Sequence, residues 1–105
     1  MHVFTILAEP NRRLLLDLLL EGAEPVSRLV EQVDMSQPVV SKHLRILRDA
    51  GFVSVKRDGQ RRLYSINPKP LEEVDAWIQP YREIWSERLD ALENHLGQTE
   101  LESDR

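Results

Sequence analysis

Along most of the chain, hydrophobic residues recur at three- and four-residue steps, the spacing of helices that bury one face; only between Phe52 and Ile66 does the pattern change. A short first helix is predicted over His2–Leu7. Pro10 opens a second, since a first turn has no use for the amide hydrogen that proline lacks. This helix runs through Leu20 and stops at Gly22, and Ile6, Leu7, Leu15, Leu18 and Leu19 are core candidates of the pair. Val26, Leu29, Val30 and Val33 share one face of a third, short helix. A tight break at Asp34–Met35 follows. Ser36 then takes the place of an N-cap, with Pro38 inside the first turn of a fourth helix. That helix runs to Ala50 with a buried stripe of Val40, Leu44 and Leu47, and Gly51 ends it.

Phe52–Arg57 and Arg61–Ile66 read as two strands, and Asp58-Gly59 between them is a hairpin signal because glycine accepts the positive φ such turns require. Pro68 and Pro70 end the sheet. From Leu71 to Leu96 the helical period returns, in Leu71, Val74, Ile78, Tyr81, Trp85, Leu89, Leu92 and Leu96. Pro80 interrupts it and predicts a kink or two consecutive helices, because proline deletes a hydrogen bond and clashes with the preceding turn. The polar stretch Gly97–Arg105 predicts a frayed tail. The expected organisation is one domain over residues 1–96, with residues 71–96 as dimerisation helices and 97–105 as a flexible tail. Its class is mainly α with a small β-hairpin wing, a winged helix-turn-helix.

The third and fourth helices form the helix-turn-helix. A B-DNA major groove admits one helix, and the preceding helix braces it across the backbone. Away from its buried stripe the fourth helix offers Gln37, Ser41, Lys42, His43 and Arg45. Ser36, Gln37, Pro38 and Ser41 lie at its N-terminal end, where base edges are read; glutamine can bond adenine bidentately, and lysine or arginine can reach guanine or phosphate. On the hairpin, Lys56, Arg57, Arg61 and Arg62 flank the tip at Gly59 and Gln60. Arg48, at the far end of the fourth helix, is expected to pair locally, and Arg12 and Arg13 to form a helix-surface or inter-helix salt bridge, with DNA phosphate as the alternative.

Charge sharpens this reading. The whole chain carries −4, but from Ser36 to Tyr64 seven basic residues face only Asp49 and Asp58, leaving +5 there. The remaining seven basic and sixteen acidic residues leave −9. A basic middle in an acidic frame is a focused patch of the kind that steers a protein to phosphate.

Other chemistry finds little support. Cysteine is absent, so no disulfide or thiolate metal site can form. The serines lack a glycine-framed elbow, there is no phosphate loop, and three scattered histidines make no motif, so no enzyme is expected and no cofactor. Met1-His2-Val3-Phe4 lacks secretory-signal features and no apolar run nears the ~20 residues of a membrane span, so the expected compartment is the cytoplasm. Trp77, Tyr81 and Trp85, at four-residue spacing, read as dimer-interface core, with an aromatic effector pocket as the alternative. Phe4, Leu71, Val74, Ile78, Tyr81, Trp85, Leu89 and Leu92 are assigned to that interface. His95 reads as a solvated helix-end residue.

The run Ser36 to Val53, SQPVVSKHLRILRDAGFV, resembles the recognition-helix signature of the ArsR/SmtB family of bacterial repressors. Leu7–Arg13 resembles that family's first-helix junction, and Arg57–Tyr64 its wing. The resemblance implies a homodimer that binds an imperfect palindrome in double-stranded DNA and represses transcription until some signal relieves it. It places Gln37, Ser41, Lys42 and His43 on the DNA-facing side of the recognition helix, and Arg57, Gly59 and Arg61 on the wing. Metal-sensing members use cysteines or acid and histidine ligands. With no cysteine, and with His95 beside only Asp90 and Glu93, this chain resembles members without a metal site, and no effector is named. A ligand- or metal-gated repressor and a non-DNA winged-helix module for protein contacts are the competing readings.

Overall fold

The computed structural model describes residues 2–103, with side chains through residue 97. They fall into two compact units, one ending at Val74 and one beginning at Asp75. The element order is α1 (Val3–Leu7), α2 (Pro10–Leu18), β1 (Glu24–Pro25), α3 (Val26–Glu31), α4 (Gln37–Asp49), β2 (Val53–Asp58), β3 (Arg61–Ile66) and α5 (Leu71–Ser103).

The first unit is organised around α4. Val40, Leu44 and Leu47 are fully buried, together with Ile6, Leu15, Leu29 and Phe52, while Leu16, Leu19 and Val53 are nearly so. Leu7, Leu18, Val26, Val30 and Val33 pack half-buried against this core. The junction of α1 and α2 is held by side chains that answer helix-end polar groups, which otherwise lack partners. The Glu9 carboxylate accepts from Asn11 N at 3.1 Å as the N-cap of α2, with Pro10 in the first turn. Arg12 Nε donates to Ile6 O at 2.8 Å, and Arg13 Nη1 donates to Leu7 O at 2.6 Å. Both arginines therefore close the end of α1 through its carbonyls, where a helix-surface or inter-helix salt bridge was expected.

The end of α4 fixes where the hairpin starts. Gly51 has φ +83°, Gly51 N donates to Arg48 O at 3.0 Å, and Phe52 N donates to Leu47 O at 2.8 Å. This is the pair of bonds of a Schellman motif, and Phe52 and Leu47, both buried, supply its apolar contact. Asn67 then ties the far end of the hairpin to the same turn, Nδ2 donating to Gly51 O at 2.9 Å and its backbone N to Phe52 O at 2.8 Å. At the tip, Gly59 has φ +64° and Gln60 does not have a positive φ, the pattern of a type II′ turn.

Three features depart from the sequence reading. The sheet has three strands, in the order β1-β3-β2, because Glu24 and Pro25 pair with Tyr64 and Leu63. Two residues, one of them proline, carry no alternation to read, and proline is tolerated at a sheet edge. Helices α2 and α3 end earlier than expected, at Leu18 and Glu31. Finally, α5 is one helix that continues through Pro80 and past Gly97 to Ser103. Proline removes a single rung, and the rungs on either side carry the helix on. The tail assigned to residues 97–105 thus overlaps the end of α5, while Asp104 and Arg105 lie outside the described residues.

Within the second unit, Arg82 bridges Asp75 and Gln79 on one face of the helix. Trp77 and Tyr81 pack ring to ring with centroids 5.2 Å apart. Trp77, Tyr81, Ile84, Trp85, Leu89, Leu92 and Leu96 are exposed, Trp85 most of all at 68%. Of the residues expected at a dimer interface, Tyr81, Trp85, Leu89 and Leu92 are in this exposed set; Val74 and Ile78 are half-buried. Leu71 spends part of its surface on the core of its own chain. Phe4 is half-buried and stacks on His2 at 5.3 Å. Ile84 was not singled out in the sequence, where it falls between the two main steps of the period.

Candidate nucleic-acid interface

With one face of α4 sealed into the core, the other is free to carry chemistry. Gln37, Pro38, Ser41, Lys42, Arg45 and Arg48 follow one another at helical steps and line one side of an open groove of about 470 Å³. Arg62 and Tyr64 of β3 and Val26 of α3 line the other. Lys42, Arg45, Arg48 and Arg62 bring four cations to this groove, and among the described residues no carboxylate lines it. A positive concavity bounded on one side by an exposed helix suits a negatively charged, ridged partner.

Ser36 is exposed at the N-cap position, but its side chain makes no capping bond. The first-turn amides of α4 and the Ser36 hydroxyl are thus both left for an external acceptor, the arrangement in which a helix N-terminus takes a phosphate. On the hairpin, Lys56, Arg57, Gly59, Gln60, Arg61 and Arg62 are all exposed. They do not act as one group. Arg57 and Arg62 are direct partners across the strands, Lys56 lies opposite Leu63, and Arg61 contacts Asp58 at 3.3 Å beside the turn. With both side chains over 60% exposed, that last pair adds little stability.

His43 differs from the other recognition-helix residues. Its side chain is only 13% exposed, Nε2 lies 3.8 Å from the Glu9 carboxylate, and Nδ1 is buried with no hydrogen-bond partner in the structure. The histidine thus points back toward the start of α2, unlike the exposed Gln37, Ser41 and Lys42 of the same helix. A histidine one position before a buried leucine has two plausible directions, and the sequence offers no way to choose between them. Arg48 is the opposite case. Expected to pair locally, it forms no ion pair among the described residues and lines the basic groove instead. Tyr64 joins it there, also unforeseen. Among the described residues no group of three or more His, Cys, Asp or Glu side chains converges as a metal site would require.

Residues 9–55 match the family model described as bacterial regulatory protein, arsR family. The transcriptional repressor SdpR of Bacillus subtilis is 36% identical over 77 residues, which is 73% of this chain and 86% of SdpR. The chain belongs to the ArsR family. This regulator is also similar to solved structures. One is a possible transcriptional regulator for arsenical resistance, at 33% identity and TM-score 0.70, covering 77% of this chain and 84% of that one. Another is a homodimeric winged helix-turn-helix DNA-binding domain from Mycobacterium bovis, at 28% identity and TM-score 0.62, covering 77% and 75%. The fold is a winged helix-turn-helix, and the protein is a DNA-binding transcriptional regulator. No helix among the described residues is long and apolar enough to cross a membrane.

Proposed function

We propose that this ArsR-family protein is a cytoplasmic, homodimeric repressor that binds double-stranded DNA at an imperfect palindrome, with no catalytic activity and no cofactor. The carrying observation is the acid-free basic groove beside the exposed face of α4. In this reading α4 enters the major groove, with Ser36, Gln37, Pro38 and Ser41 at the base edges. Lys42 and Arg45 reach guanine or phosphate, and the hairpin residues Lys56 to Arg62 follow the adjoining backbone. Pairing through α5 would present two copies of α4, and two-fold symmetry would then demand half-sites about one helical turn apart. The exposed apolar side chains of α5, the repressor name of SdpR and the homodimeric state of the Mycobacterium bovis domain support this assembly.

The test is a footprint and mobility-shift series with the DNA upstream of the protein's own gene. One dimer should protect two half-sites about 10 base pairs apart, centre to centre. Protection of a single half-site by a monomer, or equal affinity for all duplexes, would reject the reading.

A further inference from the structure

On the sheet face turned toward α4, Val53, Val55 and Arg57 of β2 stand directly opposite Ile66, Tyr64 and Arg62 of β3. The pairs grade from apolar near the core to a pair of arginines near the tip. Like charges placed opposite one another on neighbouring strands destabilise a sheet. Arg48, from the last turn of α4, borders the same recess as these two arginines, a space of about 280 Å³ floored by Val55. Three arginines therefore border one recess, and among the described residues no carboxylate lines it and none of the three forms an ion pair. The acids in the vicinity are otherwise engaged or turned aside. Asp58 contacts Arg61, Glu24 contacts Arg28, and Asp49 is adjacent to Arg48 on the helix, a spacing at which side chains do not face each other.

We propose that Arg48, Arg57 and Arg62 form a seat for one phosphate of the DNA backbone at the root of the hairpin. The inference rests on the DNA-binding reading and adds to it an anchoring site, distinct from the base-reading end of α4, in which Arg48 has a part. A phosphate removes the repulsion that the free protein carries, and guanidinium forks match its oxygens bidentately. Because the three arginines come from the end of α4 and from both strands, one bound phosphate joins helix and hairpin and sets the hairpin's position on the duplex.

The competing role for Arg48 is structural, as a cation complementing the negative end of α4. The two roles are separated by measuring DNA affinity across a salt series, on operator and on unrelated duplex, for the full chain and for Arg48→Gln and Arg48→Lys, together with the Tm of each protein without DNA. Each phosphate neutralised contributes about 0.9 to the slope of log K against log salt, so if Arg48 completes the seat, its loss in both protomers should make the Arg48→Gln slope shallower by up to about 2. The loss should be equal on both duplexes, and Arg48→Lys should keep the wild-type slope. Without DNA, Arg48→Gln should melt at or above the wild-type temperature, since a repulsive charge has gone. A wild-type slope for Arg48→Gln, or a Tm that falls, overturns the seat. A wild-type slope combined with a Tm of the wild-type protein that rises with inorganic phosphate would mark a free-anion site and overturn the DNA assignment. A steep slope in the wild-type protein with no change in Arg48→Gln would sink this inference alone, whereas a flat wild-type slope would sink the DNA-binding reading with it.

Discussion

Helices α4 and α5 are built on the same hydrophobic period, yet they end in opposite states. In α4 the apolar stripe of Val40, Leu44 and Leu47 is fully buried within the first unit, and the polar face is left outside. In α5 the large apolar residues Trp77, Tyr81, Ile84, Trp85, Leu89, Leu92 and Leu96 are the exposed ones. One helix is completed by its own chain and presents polar, basic groups; the other presents apolar surface. Exposed apolar area of this extent is the kind that protein contacts cover, whereas the basic α4 face suits a charged partner. Identical periodicity thus says only that a face will be covered, and tertiary packing decides whether the chain covers it or a second molecule must.

The sharpest way to break that contrast is inside α4. Leu44 has no exposed surface, so Leu44→Ala should lower the unfolding free energy by about 2–5 kcal/mol, the cost of lost burial and a residual cavity. Urea denaturation monitored by tryptophan fluorescence and circular dichroism measures it. A loss under 1 kcal/mol would mean that α4 is not the organising element of its unit. On α5 the corresponding change should act on association. Trp85→Ala removes an exposed ring and should weaken dimerisation by about 2 kcal/mol or more, near thirtyfold in Kd. Sedimentation equilibrium at low concentration reads this directly. A mutant as dimeric as the wild type would move the interface elsewhere.

The third substitution probes the exposed face of α4. Gln37→Ala leaves the buried stripe untouched, so stability should hold while discrimination between the best operator and single-base variants falls by about 1–3 kcal/mol. Competition binding against a panel of operator variants tests it, and an unchanged preference would take Gln37 out of the reading set.

How legible these helices were follows from what each signal depends on. The existence of α4, its buried stripe and its terminator are local, and Leu44, Leu47 and Gly51 announced them by spacing and by residue type. The direction of a polar side chain beside the stripe is not local. His43 turned inward because Glu9, thirty-four positions earlier, lies at its back, and Arg48 faced outward because the sheet brings Arg62 and Tyr64 alongside it. Strand β1 was invisible for a related reason: Glu24 and Pro25 become a strand only when β3 arrives to pair with them. At Pro80 the expectation was a kink or two consecutive helices, and the continuous helix sets aside only the second.

The smallest expected effect concerns how α4 hands over to the hairpin. At Gly51 a Cβ would meet only the Pro70 side chain at 3.7 Å, an ordinary contact, so space does not demand glycine. The backbone does, because φ is +83° there, a conformation that costs an L-residue side chain about 1–2 kcal/mol. Gly51→Ala should therefore destabilise the protein by about 1 kcal/mol through strain alone, since the Schellman bonds run between backbone atoms and survive the change. Dimerisation through α5 should be untouched. The more telling readout is DNA binding. If the turn relaxes by giving up the bond from Phe52 to Leu47, the hairpin shifts against α4 and affinity falls on every duplex by more than the stability loss accounts for. A variant that loses about 1 kcal/mol yet binds DNA as tightly as the wild type would show that helix and hairpin reach the duplex independently. Their fixed mutual placement would then play no part in recognition.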